Sequence, residues 1–254
     1  MKTTRLIVLF LFLLTGLVRA QDGKMYVIYN PAKKPFGQAM EGALKKSKGL
    51  DVMAQGFTQL FKLPRDLPLI LAETGEINCW YDGNKHRVVV SYEFVEFLFT
   101  LFSKHTKNSD EAAEQAAGTL IFTLLHELGH AFIGELDIPT TGREEDAADE
   151  FAVLLLNQMG KEGQGYAVCA AQWFNIMSQR RNNKDLPFWD EHSLDQQRFY
   201  DIFALLYGSD PNRFMFVEKF IPEARLSRAL RDYKKKEKAW DRLLQPCMRA
   251  GVTL

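Results

Sequence analysis

The most informative part of this sequence is His126-Glu127-Leu128-Gly129-His130. It matches the pattern HExxH, whose meaning depends on whether it lies on a helix. No proline interrupts the sequence from Ser109 until Pro139, and Ser109 is a favourable N-cap followed by two acids in the first turn. At about 100° per residue, His126 and His130 lie on one face of such a helix, about 40° apart. The sequence therefore predicts a helix that presents two histidines side by side.

This arrangement suits a zinc ion. Two histidines one helical turn apart can each direct an imidazole nitrogen at one ion about 2 Å away. Glu127, between them, then lies close to the water that zinc activates and can take its proton without being a ligand. The alternative is a surface helix with two unrelated histidines and a solvated glutamate. The motif predicts His126 and His130 as metal ligands and Glu127 as a general base.

A third ligand has to come from elsewhere in the chain. The metzincin continuation of HExxH would place glycine at 133 and histidine at 136, where this chain has Ile133 and Leu136. That version of the motif is excluded. The run Thr141-Gly142-Arg143-Glu144 instead matches a capping box, which predicts that a second helix starts there.

Glu145 and Asp149 lie at positions i and i+4 of that second helix, so they share one face. Glu145 can complete a His, His, Glu zinc set that leaves the fourth position open for water. Asp149, one turn further, can accept the other N–H of a ligating histidine and fix its tautomer. Glu144 is the competing ligand, because the phase of the helix is uncertain by one residue. The alternative for both glutamates is compensation of the helix dipole.

Strand-like patterns are concentrated in the first ninety residues, and helical patterns fill most of the rest. The strand patterns lie at 25–29, 77–81 and 87–91, the last two around an Asp-Gly turn, and the first helical patterns at 36–47 and 51–62. This order predicts an α+β fold, with a small N-terminal sheet packed on helices and a mostly helical C-terminal part. A polar loop near Pro187 suggests a division into residues 21–182 and 183–254.

The first twenty residues have the features of a secretory signal peptide. Lys2 and Arg5 precede an apolar run from Leu6 to Leu17, and small residues lie before Gln21. We expect an exported protein, periplasmic or secreted, after residues 1–20 are removed; an uncleaved anchor is the alternative. No other run approaches the roughly 20 apolar residues of a membrane span, which predicts no stable span after cleavage. The remaining 29 basic and 32 acidic residues argue against a nucleic-acid partner.

Three cysteines, Cys79, Cys169 and Cys247, allow one disulfide and leave one thiol over. Cys79 lies in a strand-like run, where a buried and inert cysteine is the usual case. A bond between Cys169 and Cys247 would join two helical segments, and the sequence leaves this pairing open. None of the three has a second ligand at metal-binding spacing.

Several strings around and beyond the motif resemble a known family. HExxH followed by a helix with Glu-x-x-x-Asp is similar to the gluzincin zinc peptidases. The strings at 126–131, 137–139, 142–146, 190–198 and 207–211 resemble a bacterial family of putative metallopeptidases of unknown function. The likeness extends from about residue 70 to the C-terminus. It implies a single zincin-like domain over 21–254, with zinc held by His126, His130 and Glu145.

His192 is the histidine downstream of the motif, and the resemblance covers it. Hydrolysis of a peptide bond by zinc usually needs a second donor for the developing oxyanion, and His192 is the candidate for this catalytic role. The alternative places it at a helix entrance, since residues 193–196 match a capping box. Other polar residues are interpreted as structural or surface residues: Tyr200 and Tyr207 as core residues or alternative donors, Arg143 and Arg198 as ion partners, His86 and His105 as surface histidines.

These observations predict an exported, zinc-dependent metallohydrolase, a peptidase that acts on a peptide or protein substrate through a zinc-activated water and Glu127. The alternative is a non-catalytic exported binding protein that retains a structural metal site. Structural zinc sites are closed by four protein ligands and do not require a base at Glu127. Neither the cleavage preference nor the oligomeric state is defined by the sequence.

Overall fold

The computed structural model describes residues 22–180 and 188–251. The signal peptide predicted for residues 1–20 and the boundary predicted at 182/183 lie outside the described residues. The described elements are β1 (Met25–Tyr29), α1 (Pro35–Ser47), α2 (Gly49–Leu60), β2 (Leu67–Ala72), β3 (Cys79–Asp82), β4 (Arg87–Ser91), α3 (Tyr92–Ser103), α4 (Ser109–Glu135), α5 (Glu144–Gln158), α6 (Gly160–Arg180), α7 (Asp195–Ser209), α8 (Glu223–Leu226) and α9 (Ala229–Leu244). This is the predicted α+β fold, with strands confined to the N-terminal part.

The four strands form one mixed sheet in the order β1-β2-β4-β3. Strand β2 pairs in parallel with both β1 and β4, whereas β3 runs antiparallel to β4 at the edge. The sequence patterns predicted β1 and the β3–β4 hairpin but not β2. Pro68 lies inside β2, and a proline in such a run argues against a central strand. The two edge strands of the sheet are β1 and β3, and β3 is the edge strand that packs on α4.

Helix α4 carries the HExxH motif through the middle of the fold. Its N-cap is Asn108, whose side chain accepts the N–H of Glu111 at 2.9 Å, one residue before the predicted cap at Ser109. The helix is 27 residues long and hydrophobic enough to span a membrane, but 83% of its most apolar window is buried within the protein. An aromatic group around Phe132 accounts for part of this burial. We interpret α4 as a core helix.

Close contact between α4 and α5 sets the distance between the two predicted ligand-bearing helices. A Cβ atom added to Gly129 would lie 2.9 Å from Cα of Ala148, so only glycine fits at this position. Ala152 is also fully buried. Helix α5 begins at Glu144 after Arg143, which makes no side-chain cap, so the capping box predicted from Thr141 is wrong. The small residues at the contact bring the first turns of α5 opposite the two histidines.

The C-terminal helices pack onto the same core. Buried residues form one contiguous cluster that includes Met25 of the first strand and Met248 near the C-terminus. Helix α7 packs against α6, α5 and α9. Helix α7 begins at Asp195, and its N-cap is Leu194, whose N–H donates to the side chain of Gln197. The cap lies one residue after Ser193, the cap of the predicted capping box. Because α7 packs on α5, a third segment of the chain lies close to the histidines of α4 and the acidic residues of α5.

Candidate metal centre

Three side chains from α4 and α5 converge on one point. The Nε2 atoms of His126 and His130 lie 3.2 Å apart. The carboxylate of Glu145 lies against both, with Oε2 3.1 Å from Nε2 of His126 and Oε1 3.3 Å from Nε2 of His130. These are the three ligands predicted from the sequence, and the structure brings them together.

The donor set and its spacing fit a tetrahedral metal ion. Zinc takes imidazole nitrogens and carboxylate oxygens at about 2.0–2.2 Å, which separates neighbouring ligand atoms by about 3.3 Å in a tetrahedron. The distance between the two Nε2 atoms and the distance from each of them to its nearer oxygen of Glu145 are within about 0.2 Å of that value. Oε2 of Glu145 is also buried and has no hydrogen-bond partner among the described residues. A buried carboxylate oxygen that accepts no hydrogen bond is costly, and a bound cation would offset that cost.

The other ring nitrogen of each histidine is held by a carboxylate. Nδ1 of His126 lies 2.8 Å from Oδ1 of Asp149, and Nδ1 of His130 lies 2.7 Å from Oε1 of Glu144. A carboxylate on Nδ1 fixes the tautomer in which Nε2 is free to bind a metal. Asp149 therefore lies where the sequence predicted it. Glu144, the competing ligand in the sequence analysis, instead contacts the outer nitrogen of His130.

Arg198 of α7 holds Asp149 in turn. Its Nε donates to Oδ2 at 2.7 Å and its Nη2 to Oδ1 at 2.6 Å, a paired contact between two side chains that are nearly buried. The guanidinium also stacks on the ring of Phe174 at 4.0 Å. Burial works to raise the pKa of Asp149, but Arg198 and His126 outweigh it and lower this pKa to about 2. Arg198 is thus an ion partner, as the sequence predicted. It keeps Asp149, the carboxylate that contacts His126, negatively charged.

Glu127 points from α4 toward the edge strand. Its Oε2 accepts the backbone N–H of Tyr81 on β3 at 2.8 Å. The residue is 9% exposed, and this burial raises the pKa of its carboxyl above the usual value, with the two histidines opposing the shift. A carboxylate with a raised pKa next to a metal site is suited to accept a proton near neutral pH. Tyr81 was not identified from the sequence, since its contribution is a backbone group.

The side chain of Tyr81 fixes the edge strand to the end of α4. Its hydroxyl donates to Oε1 of Glu135 at 2.6 Å, and this carboxylate is 97% buried. Glu135 also contacts Nδ1 of His86 at 2.7 Å and Nε of Arg65 at 3.1 Å. The side chain of His86 is 39% exposed, in line with the predicted surface histidine, although one of its nitrogens is held by Glu135; His105 is exposed as expected. These contacts keep β3, and with it the N–H of Tyr81, in place beside Glu127.

The three converging side chains open onto a cleft of about 590 Å³ between α4, α5 and β3. Strand residues 78–81 form one wall, and Glu191 and His192 approach from the segment before α7. Nε2 of His192 lies 3.2 Å from Oε2 of Glu145, and its Nδ1 lies 2.9 Å from Oδ1 of Asp190. The structure thus brings His192 to the site. Tyr200 and Tyr207, the alternative donors, are not among the described residues that line this cleft.

A comparison with protein-family models matches residues 29–244 to a family described as "Putative metallopeptidase". The chain belongs to this family. Searches of curated proteins and of solved structures gave no match to the chain. Membership confirms the resemblance found in the sequence and implies a metal-dependent hydrolase that acts on peptides. The narrower likeness to gluzincins and the choice of zinc stay predictions.

Two arginines that the sequence predicts as ion partners have different surroundings in this family member. Arg198 is buried in the pair with Asp149, whereas Arg143 is exposed. Nη1 of Arg143 donates to Oγ of Ser193 at 3.3 Å, and no carboxylate lies within ion-pair distance of it in the described part of the chain. The interpretation of Arg143 as an ion partner is therefore wrong.

The three cysteines all lie within the described residues, and each is a free thiol. Cys79 is buried in β3, as predicted, and burial raises the pKa of its thiol well above the usual value. Cys169 on α6 and Cys247 after α9 are partly buried and are not bonded to each other. The pairing that the sequence left open is not formed.

Protons compete with a metal ion for His130. Burial lowers the pKa of its imidazole, but Glu145 and Glu144 outweigh burial and raise it to about 9. Metal binding below that pH must displace this proton. Burial likewise lowers the pKa of His126, but Asp149 and Glu145 outweigh it and raise this pKa. We therefore expect zinc affinity to rise by about tenfold or more per pH unit from pH 7 toward 9. Calorimetric titrations across this range would measure the slope, and an affinity independent of pH would contradict the arrangement around His130.

Proposed function

We propose that this chain is an exported zinc peptidase of the metallopeptidase family, with zinc held by His126, His130 and Glu145. The observation that carries this proposal is the convergence of two Nε2 atoms and one carboxylate at separations of 3.1–3.3 Å beside a buried Glu127. The proposal uses three protein ligands, which is the ligand number of catalytic rather than structural zinc sites.

When bound, zinc would supply a Lewis acid that polarises the scissile carbonyl and makes water a nucleophile near neutral pH. Glu127 is the proton acceptor in this proposal. The N–H of Tyr81 holds one of its oxygens, so the orientation of the carboxylate does not depend on substrate. Its burial keeps the proton affinity high enough to accept a proton and return it to the leaving amine.

The unpaired edge of β3 is the proposed binding surface for the peptide backbone. Strand β3 pairs with β4 on one side only, and residues 78–81 line the cleft on the other. An extended peptide can add to such an edge through main-chain hydrogen bonds. Since the N–H of Tyr81 already points from this edge to Glu127, a peptide bound there lies next to the proton acceptor.

His192 is the proposed donor to the oxyanion that develops on the scissile carbonyl. Asp190 contacts its Nδ1, and Nε2 is directed toward Glu145. The proposed donor is the imidazolium form, which carries a hydrogen on both ring nitrogens. A donor held in this way needs little reorganisation when negative charge develops in the cleft. The side chain is 47% exposed, so substrate can reach it.

Export of the protein is supported by the signal-peptide pattern of residues 1–20, with its positive start, apolar centre and small residues before Gln21. The proposed location is the periplasm or the extracellular medium. The N-terminal sequence of the protein recovered from outside the cytoplasm would test cleavage after residue 20.

The function is tested with a quenched-fluorescent peptide library and the full mature chain loaded with one equivalent of zinc. We expect hydrolysis that stops after zinc is removed with a chelator and returns when zinc is restored. Zinc bound at one equivalent without hydrolysis of any peptide in the library would favour the non-catalytic binding protein instead.

A further inference from the structure

Three histidines, not two, have the same arrangement around Glu145. In each of them Nδ1 contacts a carboxylate and Nε2 lies 3.1–3.3 Å from a carboxylate oxygen of Glu145. The pairs at Nδ1 are His126 with Asp149 at 2.8 Å, His130 with Glu144 at 2.7 Å, and His192 with Asp190 at 2.9 Å. A carboxylate on the outer nitrogen is the usual support of a metal-ligating histidine. His192 is therefore held in the same way as the two proposed zinc ligands.

His192 also brings a carboxylate of its own to the cleft. Ligand atoms of Glu145, Glu191 and His192 all lie within 4.8 Å of one another. Glu191 is exposed and has no hydrogen-bond or ion-pair partner among the described residues. One imidazole nitrogen and two carboxylate oxygens are a donor set that zinc accepts.

We propose that Glu145, Glu191 and His192 form a second divalent-cation site that shares Glu145 with the first. The position of the Glu145 carboxylate makes the sharing possible. Its Oε1 lies 3.3 Å from Nε2 of His130, whereas its Oε2 lies between Nε2 of His126 at 3.1 Å and Nε2 of His192 at 3.2 Å. Bridged metal pairs in enzymes lie about 3.5–4 Å apart, a distance that one carboxylate can span. Oε2 of Glu145 is buried and has no hydrogen-bond partner in the described ranges, so it can contact an ion beside His192 as well as the ion of the first site.

The two sites differ in their exposure to solvent. The side chain of His126 is 5% exposed, whereas that of His192 is 47% exposed and Glu191 lies at the surface. Exposed ligands are less constrained and their charges are more strongly screened, so each contributes less to ion binding. The second site therefore binds zinc more weakly than the first and fills only when zinc is in excess.

Filling the second site has a consequence for hydrolysis, and this part rests on the proposed function. An ion at Glu191 and His192 takes up Nε2 of His192, the group proposed to donate to the oxyanion. Excess zinc then lowers the rate of hydrolysis that one equivalent of zinc supports. The site would make the peptidase responsive to the free concentration of zinc.

The test is a calorimetric zinc titration of the full mature chain, with metal content measured in parallel after gel filtration at one and at ten equivalents. The variant is Glu191→Gln, and the matched control is Glu223→Gln, which changes an exposed glutamate on α8. We expect two zinc ions per wild-type chain, the second bound more weakly. Glu191→Gln should weaken only the second binding step, by roughly tenfold or more, and Glu223→Gln should leave both unchanged.

A wild-type stoichiometry of one at saturating zinc, or a second binding step that Glu191→Gln does not alter, would overturn the proposed second site. These outcomes are distinct from failure of the proposed function, which would appear as absent hydrolysis at one equivalent of zinc. As a further readout, inhibition of hydrolysis by excess zinc should be weaker in Glu191→Gln than in Glu223→Gln. Equal inhibition in the two variants would also contradict the proposal.

Discussion

Replacing Glu127 by glutamine should lower kcat for peptide hydrolysis by roughly 10²–10⁴-fold while zinc remains bound. Glutamine has the shape of glutamate and its amide oxygen can still accept the N–H of Tyr81, so the cleft should keep its geometry. It cannot accept a proton at neutral pH. Since Glu127 is not one of the three converging ligands, the zinc content should stay at that of the wild type.

The matched control for this experiment is Glu114→Gln, which changes an exposed glutamate of the same helix. Its kcat should be that of the wild type. Both variants are assayed with one equivalent of zinc and with metal content measured on the same samples. Glu127→Gln with full zinc and unchanged hydrolysis would show that Glu127 is not the proton acceptor. Loss of zinc from Glu127→Gln would show instead that it contributes to metal binding.

Replacing Arg198 by methionine should destabilise the fold by about 3–5 kcal/mol. The side chains of Arg198 and Asp149 are 11% and 12% exposed, so removing the guanidinium leaves a nearly buried carboxylate without its strongest partner. Methionine retains apolar volume against Phe174, which separates loss of the charge from loss of packing. The expected effect is large because desolvation of Asp149 is no longer offset.

Urea unfolding of the chelator-treated wild type and variant measures this effect without the contribution of metal binding. Arg213→Met, at an exposed arginine after α7, should change the free energy of unfolding by less than about 0.5 kcal/mol. The double variant Arg198→Met with Asp149→Asn should recover part of the lost stability, because neither member of this buried pair is then charged. A change below about 1 kcal/mol for Arg198→Met would contradict the role assigned to this pair.

The convergence of the proposed metal ligands is predictable from the sequence because each pair of residues lies within one turn of a helix. His126 and His130 lie one turn apart on a helix, and Glu145 and Asp149 one turn apart on the next, so helical periodicity alone assigns each pair to a face. Gly129 and Ala148 permit the two helices to approach, and small residues at this contact are visible in the sequence as well. The α+β fold follows from the same kind of evidence, since strand and helix patterns are segregated along the chain.

The parts that escaped prediction depend on contacts between distant segments. Glu127 meets the N–H of Tyr81, 46 residues away, and no side-chain pattern marks a backbone donor. Asp149 and Arg198 are 49 residues apart, so the sequence could suggest an ion partner but not its position. Strand β2 is stabilised by neighbours on both sides despite Pro68, an example of tertiary pairing that outweighs local preference. The N-caps of α4, α5 and α7 lie one or two residues from the predicted positions, because capping depends on backbone geometry.

A crystal structure of the mature chain, grown with one equivalent of zinc and recorded at the zinc absorption edge, would show which residues hold the metal. We predict one anomalous peak per chain, within about 2.0–2.2 Å of Nε2 of His126, Nε2 of His130 and a carboxylate oxygen of Glu145. A peak coordinated by other residues, with these three side chains left unliganded, would contradict the central claim.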